Sequence, residues 1–215
     1  KNFNFLKFDL QNKKKLHNFF KKKKINFIIH LAAQAGVRYS LIRPDKYIDC
    51  NITVFLNLLE ICQKFKIKNM FYSSSSSVYG SNKKYPFSEI DETKKPKNIY
   101  AASKLFNENL AYAYSELYKI NLTGLRFFTV YGPWGRPDMA LYIFADRIMK
   151  NKSINVFNSG NMTRDFTFVD DIVKSIYKLY KKRYKSKFIN PEIYNIGFGK
   201  PCNLISFIKE IERNL

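Results

Sequence analysis

Histidine, cysteine and acidic residues are all scarce in this 215-residue sequence, and each shortage removes a class of chemistry. His30 has no second candidate ligand near it, which makes a metal centre a poor expectation; it is expected to pack at a strand end, and His17, set among lysines, to be exposed. The three cysteines, Cys50, Cys62 and Cys202, show neither CxxC nor metal-ligand spacing, and their odd number excludes a complete disulfide framework. They are expected to be free thiols in a reducing cytosol, which makes a cytoplasmic location the default. No apolar run approaches the ~18 residues that a membrane-spanning helix needs, and no signal peptide is visible. No internal repeat is present either. The sequence opens on Lys1 and stops after the helix-like "LISFIKEIERNL", and is expected to be an internal piece of a longer protein.

The acid shortage leaves a formal charge of +21, from 38 Lys+Arg against 17 Asp+Glu. Such an excess fits a polyanionic partner, yet no helix-turn-helix, zinc-finger or RNA-reading motif accompanies it. Lys, Asn, Ile, Phe and Tyr are enriched together, as a proteome-wide bias produces, and the lysine runs 13–15 and 21–24 flank "LHNFF", a surface helix with a solvated face. A nucleic-acid partner is therefore not expected. What the sequence does have is apolar material, 46% of its residues, enough for a packed core.

Apolar β-branched and aromatic runs alternate with longer segments of helical period, the signature of a parallel sheet covered by helices. "INFIIHLAA" (Ile25–Ala33) reads as a buried strand ending in small residues. Asp45–Lys66 reads as one helix with Ile48, Ile52, Phe55, Leu56, Leu59 and Cys62 on one face. "NMFYSS" is a strand and the following "YGSNKKYPFSEIDETKKPKN" a surface loop. A long helix is predicted over Ile99–Tyr118, then a strand in "INLTGLRFFTVYG", a loop in "GPWGRPD", a helix near Leu141–Lys150, a short strand "INVF", a strand in "IYNIGFG" and a final helix. The change of pattern near Gly132 predicts a sheet domain over 1–132 and a smaller, substrate-side lobe over 133–215, interleaved with returning sheet elements.

The chemistry concentrates in two motifs. In "YAASK", Tyr100 and Lys104 are four apart and project from one face of a helix. A free phenol has a pKa near ~10, and a neighbouring cation favours the phenolate, which moves Tyr100 toward use as a general base. Alone, YxxxK is a weak signal that chance supplies often. The run Ser73–Ser77 ends a strand, however, and open parallel sheets bind ligands beyond the carboxyl ends of their strands. Ser75 lies 25 residues before Tyr100, with a loop long enough to bring the two together. A hydroxyl, a phenol and an ammonium are then expected to converge on one substrate oxygen.

"HLAAQAGVRYS", "YSSSSSVYG", "YAASK", "LRFFTVYGPWGRPDMA" and "RDFTFVDD" occur in the order and spacing of the extended short-chain dehydrogenase/reductase family, and the sequence resembles that family over essentially its whole length. "GPWGRPDMA" is most similar to the UDP-glucuronate 4-epimerases within it. The resemblance implies a Rossmann-like doubly wound α/β fold, NAD as cofactor, a UDP-sugar substrate and pairing into a homodimer through the long helices on either side of the serine loop. It also implies a GxxGxxG turn that the 215 residues lack, so some fifty residues are expected ahead of them, and this piece alone is expected to be inactive and to bind NAD poorly.

By the same resemblance, Tyr100 takes the proton of the sugar 4-hydroxyl, Lys104 holds the nicotinamide ribose, and Ser75 hydrogen-bonds the sugar oxygen. Asp9, Leu31, Ala32, Ala33, Gln34, Asn51, Ser73, Phe128 and Val130 match cofactor positions. Ser76, Thr129 and Arg164 match substrate positions, Arg164 facing the UDP phosphates; Arg136 reads either as a partner for a uronate carboxylate, which a guanidinium pairs in bidentate fashion, or as a solvated loop residue. Related dehydratases carry an Asp-Glu pair where this sequence has Ser76 and Ser77, so 4-epimerisation is the expected reaction. UDP-glucuronate is the expected substrate, with a UDP-glucose 4-epimerase or another nucleotide-sugar epimerase/dehydratase as the alternative. From another class, a non-catalytic basic binding module on the same fold stays open.

Overall fold

The structure, a computed structural model, describes residues 2–184 and 190–215. In chain order its regular elements are α1 (Lys13–Lys22), β1 (Ile28–His30), α2 (Val37–Ile42), α3 (Pro44–Tyr47), α4 (Val54–Lys64), β2 (Asn69–Ser75), α5 (Ile99–Tyr118), β3 (Asn121–Phe127) and β4 (Thr129–Tyr131). There follow α6 (Ala140–Met149), β5 (Thr163–Arg164), β6 (Phe166–Phe168), α7 (Val169–Tyr184), β7 (Glu192–Ile196), β8 (Cys202–Asn203) and α8 (Leu204–Asn214). The chain falls into two compact units, Lys1–Arg126 with Lys181–Asn195, and Phe127–Tyr180 with Ile196–Leu215.

The first unit is built on a sheet of order β1-β2-β3-β7, in which β1 and β2 run parallel with Ile28 opposite Met70 and His30 opposite Tyr72. Its core joins Leu16 and Phe20 of α1, Val54, Phe55, Leu59 and Cys62 of α4, Met70 and Tyr72 of β2 and Leu122 of β3. Each such side chain contributes roughly 1.5–3 kcal/mol when fully buried. The Tyr72 ring of β2 lies over Gly124 of β3, where a Cβ would come 2.7 Å from its hydroxyl oxygen. In the second unit β4 and β6 pair in parallel, β5 and β8 antiparallel, and Phe144 packs with Leu204, Ile208 and Ile211. Among the described residues no helix is long and apolar enough to cross a membrane, and no group of three or more His, Cys, Asp or Glu could hold a metal ion.

Three elements differ from the sequence expectation for identifiable reasons. The strand read over Ile25–Ala33 shrinks to Ile28–His30; among the described residues β1 pairs with β2 alone, and Ile29 and Leu31 are exposed. The strand expected at "INVF" (Ile154–Phe157) is not formed: Ile154 and Val156 pack on the Phe144 and Leu204 cluster without a strand partner among the described residues, and a 3-10 turn, Phe157–Gly160, follows directly. The helix expected over Asp45–Lys66 is interrupted by a π-helical segment, Ile48–Thr53. Wider π turns shift the register of the residues that precede α4. Ile48 consequently leaves the buried face and is 49% exposed, while Asn51 takes an interior place at 1%. His17, expected to be exposed, is half-buried with its ring 5.3 Å from that of Phe65.

Candidate active site

The five serines do not form a uniform joint. Ser73, Ser74 and Ser75 complete β2, and all three are buried. Ser75 then caps a 3-10 turn, Ser76–Tyr79, its Oγ accepting from the Ser77 amide at 3.2 Å. That bond uses Oγ as an acceptor and leaves the hydroxyl proton to be donated. Ser76 is half-buried at the head of the turn. The turn closes on Gly80 at φ +56°, where a Cβ would come within 2.1 Å of the Lys95 carbonyl oxygen, so only glycine lets the following loop pack there.

Helix α5 begins where the sequence places it because Asn98 caps it, Oδ1 accepting from the Ala101 amide at 2.8 Å. It ends at Lys119, whose left-handed backbone donates to the Ser115 carbonyl. Tyr100 stands in the first turn, half-buried, with its ring 6.2 Å from that of Tyr47. One turn later Lys104 is 2% exposed and donates from Nζ to the Ser73 carbonyl at 2.8 Å and to Ser73 Oγ at 2.9 Å. The YxxxK helix is thereby fastened to the end of the serine strand. Burial draws the Lys104 pKa down to about 8. His30 lies at the end of β1, stacked on Phe55; burial, with the Lys104 charge as a second cause, lowers its pKa to about 4 and keeps it neutral.

Beyond β1, Leu31, Ala32 and Ala33 are exposed and Gln34 is half-buried. Asn51 clamps this loop: its Oδ1 accepts from the Gln34 amide at 2.8 Å, and its Nδ2 donates to the Gln34 carbonyl and to Ser103 Oγ, both at 3.0 Å. Asn107 closes the cluster by donating to the Asn51 carbonyl at 3.1 Å. The π-helical segment thus points an amide, rather than an aliphatic chain, at the strand end. Asp9 is exposed and accepts from the Gln11 amide.

The remaining predicted positions lie in the second unit. Phe128, Thr129 and Val130 are half-buried around the start of β4; the Phe128 amide donates to the Ile196 carbonyl and the Thr129 amide to the Asp165 carbonyl. Arg164, exposed in β5, donates to the Thr163 carbonyl. Arg136 forms a two-pronged pair with Asp138, its Nε 2.9 Å from Oδ1 and its Nη2 on Oδ2. That pairing was not visible in a reading of Arg136 against a substrate carboxylate.

The sequence reading also passed over a run of polar residues on the inner face of α5. Ser103, Asn107 and Glu108 are buried beside Lys104, and each has a partner. Glu108 accepts two parallel bonds from Arg126 of β3, Nε to Oε1 at 2.9 Å and Nη2 to Oε2 at 2.8 Å, and a third from Ser74 Oγ at 2.5 Å. Burial by itself lowers the Arg126 pKa, but the bonds to Glu108 and to the Tyr79 hydroxyl together raise it above its ordinary value. The available signal was the helical period: Glu108 follows Lys104 by one turn, on the face that carries Ala101 and Ala111 inward.

Lys104, one turn after Tyr100 on α5, is thus bonded to the end of β2, and open α/β sheets bind ligands beyond the carboxyl ends of their strands. The chain belongs to the NAD dependent epimerase/dehydratase family, whose sequence model matches residues 1–197. It is 47% identical to Protein CapI of Staphylococcus aureus over 227 aligned residues, covering all of this chain and 68% of that protein. It is 44% identical to UDP-glucuronate 4-epimerase 4 of Arabidopsis thaliana over 219 residues, which cover 96% of this chain and 50% of that protein. A crystal structure of UDP-glucuronic acid 4-epimerase from Bacillus cereus with UDP-glucuronic acid and NAD superimposes with a TM-score of 0.88 at 33% identity, covering 98% of this chain and 65% of that one. The chain spans half to about two thirds of the length of these relatives.

Proposed function

We propose that the protein is an NAD-dependent UDP-sugar 4-epimerase that interconverts UDP-glucuronate and UDP-galacturonate. The observation that carries the reading is the Lys104 ammonium, buried against Ser73 with Tyr100 one turn before it and Ser75 two residues on in the same strand. The residues present suit the cofactor: past β1 the exposed Leu31 is followed by the small, exposed Ala32 and Ala33, and Asn51 sets the loop that follows. When bound, NAD would supply a reversible hydride acceptor at the sugar C4.

The chain's own groups do the rest. Tyr100 takes the proton of the sugar 4-hydroxyl and later returns it. Ser75 donates to the same oxygen and fixes its position relative to the phenol. Lys104 keeps its two bonds to Ser73 and has a third N–H that would be available to the cofactor ribose, while its charge stabilises the phenolate. Ser76 and Ser77 supply no acid or base, so nothing at that turn drives loss of water from the keto sugar.

Substrate choice turns on Arg136. A surface pair such as Arg136–Asp138 is worth little, roughly 0–1 kcal/mol, so exchanging Asp138 for a uronate carboxylate costs little. The same pairing also favours a second reading, a UDP-glucose 4-epimerase in which Arg136 keeps Asp138 and meets no substrate. A substrate panel separates the two: Arg136→Ala is expected to raise KM for UDP-glucuronate by about tenfold or more while leaving UDP-glucose unaffected, since a charge-assisted hydrogen bond is worth roughly 1.5–3 kcal/mol. Equal KM values in the variant and the parent protein would favour the uncharged sugar.

A further inference from the structure

We infer that Ser74, Glu108 and Arg126 form a positioning device that sets the register of α5 against the end of β2, and with it the placement of Tyr100 and Lys104 relative to Ser75. The inference rests on the reading of Ser75, Tyr100 and Lys104 as the reacting set.

Three neighbouring serines have three different partners. Ser73 holds Lys104, Ser74 holds Glu108, and Ser75 caps the turn that follows. Lys104 and Glu108 are one turn apart on α5, so the helix is pinned to successive residues of one strand at two successive turns. Arg126 extends the tie. Its Nη1 donates to the Tyr79 hydroxyl at 2.9 Å, and that hydroxyl donates to Asn195 Oδ1 of β7 at 2.7 Å. Tyr79 is the last residue of the turn that Ser75 caps. One guanidinium therefore connects the catalytic helix, the serine strand, the turn beyond it and a further strand of the sheet.

Stability alone is a weak reason for this arrangement, because apolar side chains of similar volume often hold a core as well as a buried ion pair does. What the pair adds is direction, since the planar guanidinium accepts a carboxylate in one fork geometry. On α5 that direction adds to the bonds of Lys104 to Ser73 and of Ser103 and Asn107 to Asn51. The buried face of the helix includes Ala101, Ala111 and Ser115, small residues that let a helix slide over its neighbour. Reactions that depend on an aligned base lose about a hundredfold for a displacement near 1 Å.

Ser74→Ala in the intact protein removes one tie and leaves Glu108 paired with Arg126, so the fold is kept. The expected result is a kcat lowered about tenfold, KM for the UDP-sugar within about twofold, and faster amide exchange in the first two turns of α5. Ser74→Thr, which retains the hydroxyl, is expected to restore both readouts. Wild-type kcat and exchange in Ser74→Ala would overturn the inference, as would equal losses in the Ala and Thr variants, which would mean that only volume matters. If the parent protein turns over no UDP-sugar, the functional reading fails on its own account. Amide exchange then decides the positioning claim: acceleration confined to the first two turns in Ser74→Ala supports it, and unchanged exchange there rejects it.

Discussion

Tyr100→Phe is expected to lower kcat by about a thousandfold with little change in KM, because a positioned general base contributes roughly 10²–10⁴ in rate. The variant keeps the ring, and with it the contact to Tyr47, while the Asn98 cap and the Lys104 bonds to Ser73 do not involve the phenolic oxygen. Its thermal midpoint, measured alongside, separates a loss of chemistry from a loss of fold. Steady-state conversion of the UDP-sugar measures kcat. A variant retaining more than about a tenth of the parent kcat would remove Tyr100 from the role of base.

Glu108→Ala is expected to produce the largest loss of stability. It strands the Arg126 guanidinium, 3% exposed, without the carboxylate that compensates its burial. Breaking a buried pair from one side costs about 3–5 kcal/mol, which lowers Tm by roughly 10 °C in a chain of this size. Removing both charges together, Glu108→Gln with Arg126→Met, is expected to recover most of that loss, since no buried charge then lacks a partner. Differential scanning calorimetry reads both. A double variant as unstable as Glu108→Ala would show that packing volume, and not the stranded charge, dominates.

Local signals account for much of what could be read in advance. The boundaries of α5 follow from an Asn cap, a run free of Gly and Pro in which Ala, Leu and Glu recur, and a left-handed stop, all of them near-neighbour effects. The YxxxK spacing and the serine strand end were legible for the same reason. The π-helical segment was not, because one extra residue per turn leaves no mark in an apolar periodicity that still places Phe55, Leu59 and Cys62 inside. Asn51 therefore looked like an ordinary polar helix residue matched to a cofactor position, and its clamp on Gln34 and Ser103 emerged only in three dimensions. Glu108 and Arg126 lie on different elements, and no sequence period couples a helix to the strand after it. The Arg136–Asp138 pair is local, two residues apart, but in an exposed loop the spacing of two opposite charges does not by itself fix their pairing.

The central claim is that the site inverts one sugar carbon without net oxidation. Incubating the intact protein with UDP-glucuronate and NAD in deuterated water, and following the sugar by NMR, tests it most directly. The account predicts UDP-galacturonate with C4 still carrying protium and no accumulation of reduced cofactor. Solvent deuterium at C4, stoichiometric reduced cofactor, or no conversion of UDP-glucuronate would contradict it.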